Sequence, residues 1–207
     1  MEQMIYLLRH GETTYNTQGR YQGQLDSPPL TERGREQVQQ NARMLKSLIG
    51  DVDDWTILSS PMGRAMQSTA ILCETLGYDG NRVRQDPRLT EVAVGQWAGL
   101  TMAEIQQKWP TLLTNTDAFN WYFRAPDGGE TYEAVVSRLT ALLETIQPLS
   151  KVIVVSHGLT GRILRGVYAS LSKEETLKLE VSQDVIFKLT NKEIKRISSN
   201  VDDDFYL

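Results

Sequence analysis

Two stretches of the chain repeat one local pattern, and together they constrain the fold more than any other feature. Ile5-Tyr6-Leu7-Leu8-Arg9-His10-Gly11 and Val152-Ile153-Val154-Val155-Ser156-His157-Gly158 each run from an apolar block through one polar residue to a histidine and a glycine. Apolar blocks this short suit strands covered by helices on both faces, as in a parallel sheet. Thr56-Ile57-Leu58-Ser59 is a third such block. His10 and His157 are the only histidines in the chain. In a parallel α/β sheet, ligand sites form beyond the carboxyl ends of the strands. Neighbouring strands would therefore set both imidazoles at one edge.

Helical patterns fill the intervals. Residues 31–49 place Val38, Ala42, Leu45 and Ile49 on one face and stop at Gly50. Ser60-Pro61 reads as the cap and first position of a helix that reaches Leu76 and closes at Gly77. Thr101-Met102-Ala103-Glu104 is a capping box for a short helix ending by Trp109-Pro110. Val135, Leu139, Leu142 and Ile146 form a stripe closed by Pro148, and a last helix carries Ile163, Leu164, Val167 and Leu171. Residues 185–189 join through Thr190-Asn191-Lys192 to Glu193–Ile197 as a hairpin at one end of the sheet. The alternation predicts an α/β fold, a three-layer α/β/α sandwich around a mostly parallel central sheet. Residues 109–130 are irregular and aromatic-rich. With their flanks, residues 98–130 read as a lid-like insertion within a single domain spanning 1–207.

Composition narrows the function classes. With 207 residues, 40% hydrophobic and 23% charged, the chain can bury a sizeable core. A net charge of −4 offers no global basic field for nucleic acid or an anionic membrane surface. The single cysteine, Cys73, excludes an intramolecular disulfide and a multi-cysteine zinc site. The first twelve residues do not read as a signal peptide, and no apolar run approaches the ~18–20 residues of a membrane span. A cytoplasmic location is the expectation.

Two imidazoles at one edge could ligate a metal, but further ligands are scattered carboxylates such as Glu12. The cations nearby point elsewhere. Arg9 directly precedes His10, and Arg64 lies in the first turn of the helix that follows the third strand. A helix N-terminus attracts anions, and the guanidinium fork matches phosphate oxygens. Two histidines and two arginines on one edge suit a phosphoryl group better than a metal, so no metal or other cofactor is expected.

The residues then resemble the histidine phosphatase superfamily, in the branch that also holds the cofactor-dependent phosphoglycerate mutases. Arg9-His10-Gly11-Glu12-Thr13 looks like its nucleophile motif, and Asn16 falls where the family has a phosphate-binding asparagine. Gln22-Gly23 and Pro29-Leu30-Thr31-Glu32-Arg33-Gly34 continue the pattern. Ser59-Ser60-Pro61-Met62-Gly63-Arg64-Ala65 resembles the segment of the second phosphate-binding arginine. Leu89-Thr90-Glu91 with Gly95-Gln96-Trp97 resembles the proton-donor segment, and Pro126-Asp127-Gly128-Gly129-Glu130-Thr131 and Ser156-His157-Gly158 complete the order. Ala98 and Tyr15 stand where the family often has Glu and Trp.

The resemblance implies a phosphoglycerate mutase-like fold and phosphoryl transfer through a phosphohistidine at His10, without a metal. It makes Arg9, Arg64, His157 and Asn16 the phosphate-binding groups, Gln22 and Gly23 part of the substrate site, and Glu91 the proton donor. Neutral imidazole and a protonated acid together imply activity at mildly acidic to neutral pH. The expected activity is hydrolysis of a small phosphorylated metabolite. The alternatives are a mutase and a non-catalytic phosphoester-binding protein. A mutase pocket needs extra cations, and between Trp97 and Glu130 the chain offers only Lys108 and Arg124. Trp109, Phe119, Trp121, Tyr122 and Phe123 either line a pocket or pack the insertion; Cys73 and Trp55 read as core; Asp202-Asp203-Asp204 reads as a frayed end.

Overall fold

The computed structural model describes residues 3–26, 28–111 and 120–198. Strand β1 (Met4–Arg9) leads to a one-turn helix α1 (Thr14–Thr17) and then to α2 (Glu32–Ile49). There follow β2 (Thr56–Ser59), α3 (Gly63–Leu76), a two-residue β3 (Arg84–Gln85), α4 (Met102–Lys108) and α5 (Tyr132–Ile146). The described residues continue through β4 (Lys151–Ser156), α6 (Gly158–Tyr168), α7 (Lys173–Lys178), β5 (Ile186–Thr190) and β6 (Glu193–Ile197).

The strands form one sheet in the order β3-β2-β4-β1-β5-β6. Its first four strands are parallel neighbours, and β5 and β6 add as an antiparallel pair at one edge. The Asn191-Lys192 turn of that hairpin takes positive φ at both residues, 49° and 62°. That is the type I′ geometry, one of the two turn types whose twist matches the flanking strands.

Alternation along β1 and β4 divides the core. Ile5, Leu7, Val152 and Val154 pack with α5 residues Val135, Leu139 and Leu142 and α6 residues Ile163 and Leu164. Tyr6, Leu8, Ile153 and Val155 pack the other way, with Ala42 and Leu45 of α2 and Ala65 and Leu72 of α3. Helices thus cover both faces, which explains why the strands read as continuously apolar rather than alternating. Each fully buried aliphatic side chain contributes about 1.5–3 kcal/mol. Cys73 and Trp55 belong to the second cluster, with Trp55 against Tyr6 at 5.4 Å between ring centres. Among the described residues no helix is long and apolar enough to cross a membrane.

Two helix boundaries differ from the sequence expectation. Helix α3 is capped at Met62 rather than Ser60, because the Ser60 hydroxyl is engaged by Met62 N–H and by the His157 ring. Helix α6 ends at Tyr168, before Leu171. Ser170 there takes a left-handed φ of 58°, while Ser170 and Leu171 N–H groups reach back to Val167 and Gly166 carbonyls. That is a Schellman closure, and it explains an apolar Leu171 one turn past the helix. Helix α7, opened by a Ser172–Glu175 capping box, and the two-residue strand β3 add to the elements the sequence pattern predicts. Phe119, Asp202-Asp203-Asp204 and the middle of the 98–130 segment lie outside the described residues.

Candidate active site

Strand register builds the site. Arg9 of β1 stands opposite Ser156 of β4, and His10 N–H donates to the Ser156 carbonyl at 3.0 Å. Ser60 N–H donates to Val155 O on the other side of β4. Three strand ends therefore lie abreast, and the His10 and His157 rings meet with centres 5.2 Å apart. The chain can leave β1 this sharply because Gly11 and Gly34 touch. A Cβ on Gly11 would lie 2.2 Å from the Gly34 carbonyl oxygen, and one on Gly34 would lie 2.1 Å from that of Glu12. Only glycine fits at either position.

The hydrogen bonds fix both tautomers. His10 Nδ1 lies 2.7 Å from the Gly11 carbonyl, which can only accept, so Nδ1 carries the proton and Nε2 the lone pair. His157 is the reverse case. Arg64 Nε can only donate, and it donates to His157 Nδ1 at 3.1 Å, so the proton sits on Nε2 and goes to Ser60 Oγ at 2.8 Å. His10 lines a pocket of about 250 Å³, together with Arg9, Asn16, Gln22, Gly23, Arg64, Glu91, Tyr122 and Arg162. His157 is not among its lining residues, and both its ring nitrogens have protein partners.

Both rings are neutral. Burial, then the charges of Arg9 and Arg64, hold His10 well below the usual histidine value near 6.5. Burial, then Arg64, His10, Arg9 and Arg138, do the same to His157. Each depressed ring leaves the unfolded chain holding the extra proton below pH 6.5. Stability therefore falls with pH in that window, by up to about 1.4 kcal/mol per pH unit per ring, until the folded rings also protonate. The expected NMR result is two imidazole signals that both titrate well below the ordinary midpoint near 6.5. A ring titrating near 6.5 in the folded protein would contradict the electrostatics.

Arginines wall the pocket. Arg64 is 1% exposed; burial lowers it to about 10, so it stays charged near neutrality, and a terminal nitrogen donates to Gly23 O at 2.8 Å. Arg9 is anchored by a 2.5 Å bond to Val181 O, and its Nε is buried without a hydrogen-bond partner. Asn16 is oriented by its neighbours. Its Oδ1 accepts from Thr13 N–H, the Thr13 hydroxyl and Gln183 Nε2, which leaves its NH2 group as the donor toward the pocket. Gln22 is 8% exposed, with Oε1 buried and unpartnered. Glu91 caps α6: Oε1 accepts from Thr160 N–H, the Thr160 hydroxyl and Val92 N–H, and Oε2 from Leu159 N–H at 3.2 Å. Glu12 faces Thr31 instead and does not line the pocket.

Several pocket residues escaped the sequence reading. Arg162 sits one turn into α6, four residues after Gly158, which also lines the pocket. It is 9% exposed with Nε unpartnered, and its charge acts on Tyr122 and Arg9. The pocket thus gains a cation from α6, while Lys108 and Arg124 do not line it. The loop before β5 buttresses the site through Val181 and through Gln183, whose side chain also donates to the His10 carbonyl. The aromatic residues divide. Tyr122 lines the pocket and stacks on Trp121 at 3.9 Å; Trp121 packs with Trp97, Ile105 and Trp109; Phe123 sits against Tyr132. Ala98 and Tyr15 are not pocket residues.

Chemically, this sheet edge gathers arginine cations around a histidine whose Nε2 carries a lone pair. The chain belongs to the histidine phosphatase superfamily (branch 1), whose family model matches residues 5–198. A glucosyl-3-phosphoglycerate phosphatase of Mycobacterium tuberculosis is 36% identical over 191 residues, covering 86% of this chain and 77% of the relative. Phosphoserine phosphatase 1 of Hydrogenobacter thermophilus is 31% identical over 175 residues, covering 81% and 75%. A probable phosphoglycerate mutase of Cronobacter sakazakii is 34% identical over 165 residues, covering 75% and 69%. Among solved structures, a mycobacterial glucosyl-3-phosphoglycerate phosphatase in complex with VO3 superposes with a TM-score of 0.73 at 29% identity, covering 98% of this chain and all of the other. Bacillus stearothermophilus YhfR gives 0.76 at 26% identity, covering 95% and 96%.

Proposed function

We propose that the protein hydrolyses small phosphomonoesters through a phosphohistidine on His10. The supporting observation is the asymmetry of the two rings. His10 presents an unprotonated Nε2 in the pocket, whereas both nitrogens of His157 are taken by Arg64 and Ser60. In the first step Nε2 attacks phosphorus, the P–O bond to the alcohol breaks, and protonated Glu91 delivers its proton to the leaving oxygen. In the second, water attacks phosphorus, gives a proton to the Glu91 carboxylate, and the P–N bond breaks to release inorganic phosphate. Arg9, Arg64 and the Asn16 amide hold the non-bridging oxygens, and His157 holds Arg64 in place.

Arg162 and Tyr122 lie on the leaving-group side in this scheme. Relatives named for phosphoserine and for glucosyl-3-phosphoglycerate handle phosphoesters that also carry a carboxylate. An unpartnered guanidinium in the pocket fits such a second anion. Assaying phosphoserine and 3-phosphoglycerate against p-nitrophenyl phosphate tests this. Arg162→Ala is expected to raise KM for the doubly anionic substrates by about 10–100-fold, the worth of a charge-assisted hydrogen bond, and to leave p-nitrophenyl phosphate within about threefold. Equal effects on both would overturn the assignment. Product analysis separates hydrolysis from transfer, since a mutase returns the phosphoryl group to another product oxygen instead of releasing inorganic phosphate.

A further inference from the structure

Glu91 follows a short 3-10 helix (Pro87–Leu89) in the segment between residues 86 and 94, and its chemistry needs placement to a fraction of an ångström. Three side chains outside the reacting set bracket that segment. Glu130 Oε2 accepts from Ala93 N–H at 2.8 Å, and the Glu130 N–H returns a bond to the Ala93 carbonyl at 2.9 Å. Arg138 of α5 pairs with Glu130 at 2.9 Å and donates a second bond to the Arg88 carbonyl. Gln24 Nε2 donates to the Glu91 carbonyl at 2.9 Å and reaches Glu130 Oε2 at 3.4 Å. The backbone is thus gripped at residues 88, 91 and 93. Gly95 completes the seam. It has φ of +47°, and a Cβ there would lie 2.4 Å from the Asp127 and Pro126 carbonyl oxygens.

We infer that Glu130, charge-paired with Arg138, is the positioning residue for Glu91, setting how far the acid reaches toward the bridging oxygen. The Glu130–Arg138 pair is only 21% and 16% exposed, so its geometry is well sheltered. Neither residue lines the pocket. This inference rests on the reading of Glu91 as proton donor, and the test separates the two.

The discriminating readout is leaving-group dependence. An alkoxide leaves only if protonated, whereas p-nitrophenolate leaves without help, so a displaced acid penalises alkyl phosphates selectively. kcat and KM are measured for β-glycerophosphate and p-nitrophenyl phosphate with the wild type, Glu91→Gln, Glu130→Gln and Gln24→Ala. Glu91→Gln is expected to lower kcat on β-glycerophosphate by about 10²–10⁴-fold, the usual worth of a general acid, with a far smaller loss on the aryl ester. Glu130→Gln is expected to reproduce that bias at about 10–100-fold with KM unchanged. Gln24→Ala, a milder change in a more exposed tether, is expected to give the same bias at about threefold, and decides the matter if Glu130→Gln does not fold. Parallel losses on both esters in the Glu130 and Gln24 variants, beside a biased Glu91→Gln, would overturn the positioning role alone. An unbiased Glu91→Gln would overturn both assignments.

Discussion

Replacing His10 with alanine is expected to abolish phosphomonoester turnover, lowering kcat by on the order of 10⁴-fold or more. The magnitude follows from the absence of a substitute. The neighbouring ring, His157, is the only other imidazole in the chain, and its nitrogens are committed to Arg64 and Ser60. Binding is a separate matter, because Arg9, Arg64 and Asn16 are untouched by the substitution. Inhibition by inorganic phosphate is therefore expected to stay within about threefold of the wild type, which also certifies the fold of the variant. Rapid quench with 32P-labelled substrate is expected to trap a base-stable, acid-labile adduct on Nε2 of His10. An adduct on any other residue, or an alanine variant retaining more than about a hundredth of the activity, would remove His10 from the nucleophile's role.

The features that made this site legible in the sequence are local ones. A strand followed by His-Gly is visible in a dozen residues, and the parallel register of β1 and β4 then brings the two copies together. The helix stripes were legible for the same reason, since an apolar face repeats every three to four residues. What stayed hidden depends on distant chain. Arg162 occupies the polar side of a helix recognised by its apolar stripe. Only its spacing from Gly158 would have flagged it, because residues four apart share one helix face. Gln183 and Val181 act from an irregular loop with no period, some 170 positions after the residues they hold. Ser60 shows the opposite failure. Ser-Pro is a sound helix start by local chemistry, but the hydroxyl is recruited by His157 across 97 residues of sequence, and the helix begins later. Tertiary demand overrode the local signal at the point where the site is built.

Arg64 concentrates that demand, and its removal is expected to have the second-largest effect. One guanidinium orders the His157 tautomer, ties down the Gly23 carbonyl and faces the pocket with its charge. Substituting Arg64→Met keeps most of the volume and deletes the charge and all three roles. kcat/KM is expected to fall by about 10²–10³-fold, the cost of losing one preorganised donor to a developing anion. Stability is expected to move the other way or hardly at all. Relief of the buried charge offsets the loss of its hydrogen bonds to His157 Nδ1 and the Gly23 carbonyl. The histidines supply an independent readout. Arg64 is among the charges that depress both rings, so in Arg64→Met both are expected to titrate at higher pH, and the acid-induced loss of stability shrinks because the folded rings protonate sooner. Arg64→Lys restores charge but not the planar fork, so it is expected to bring back the low histidine values without restoring the rate. If the lysine variant recovers full activity, a point charge suffices and the oriented guanidinium is not what the site requires.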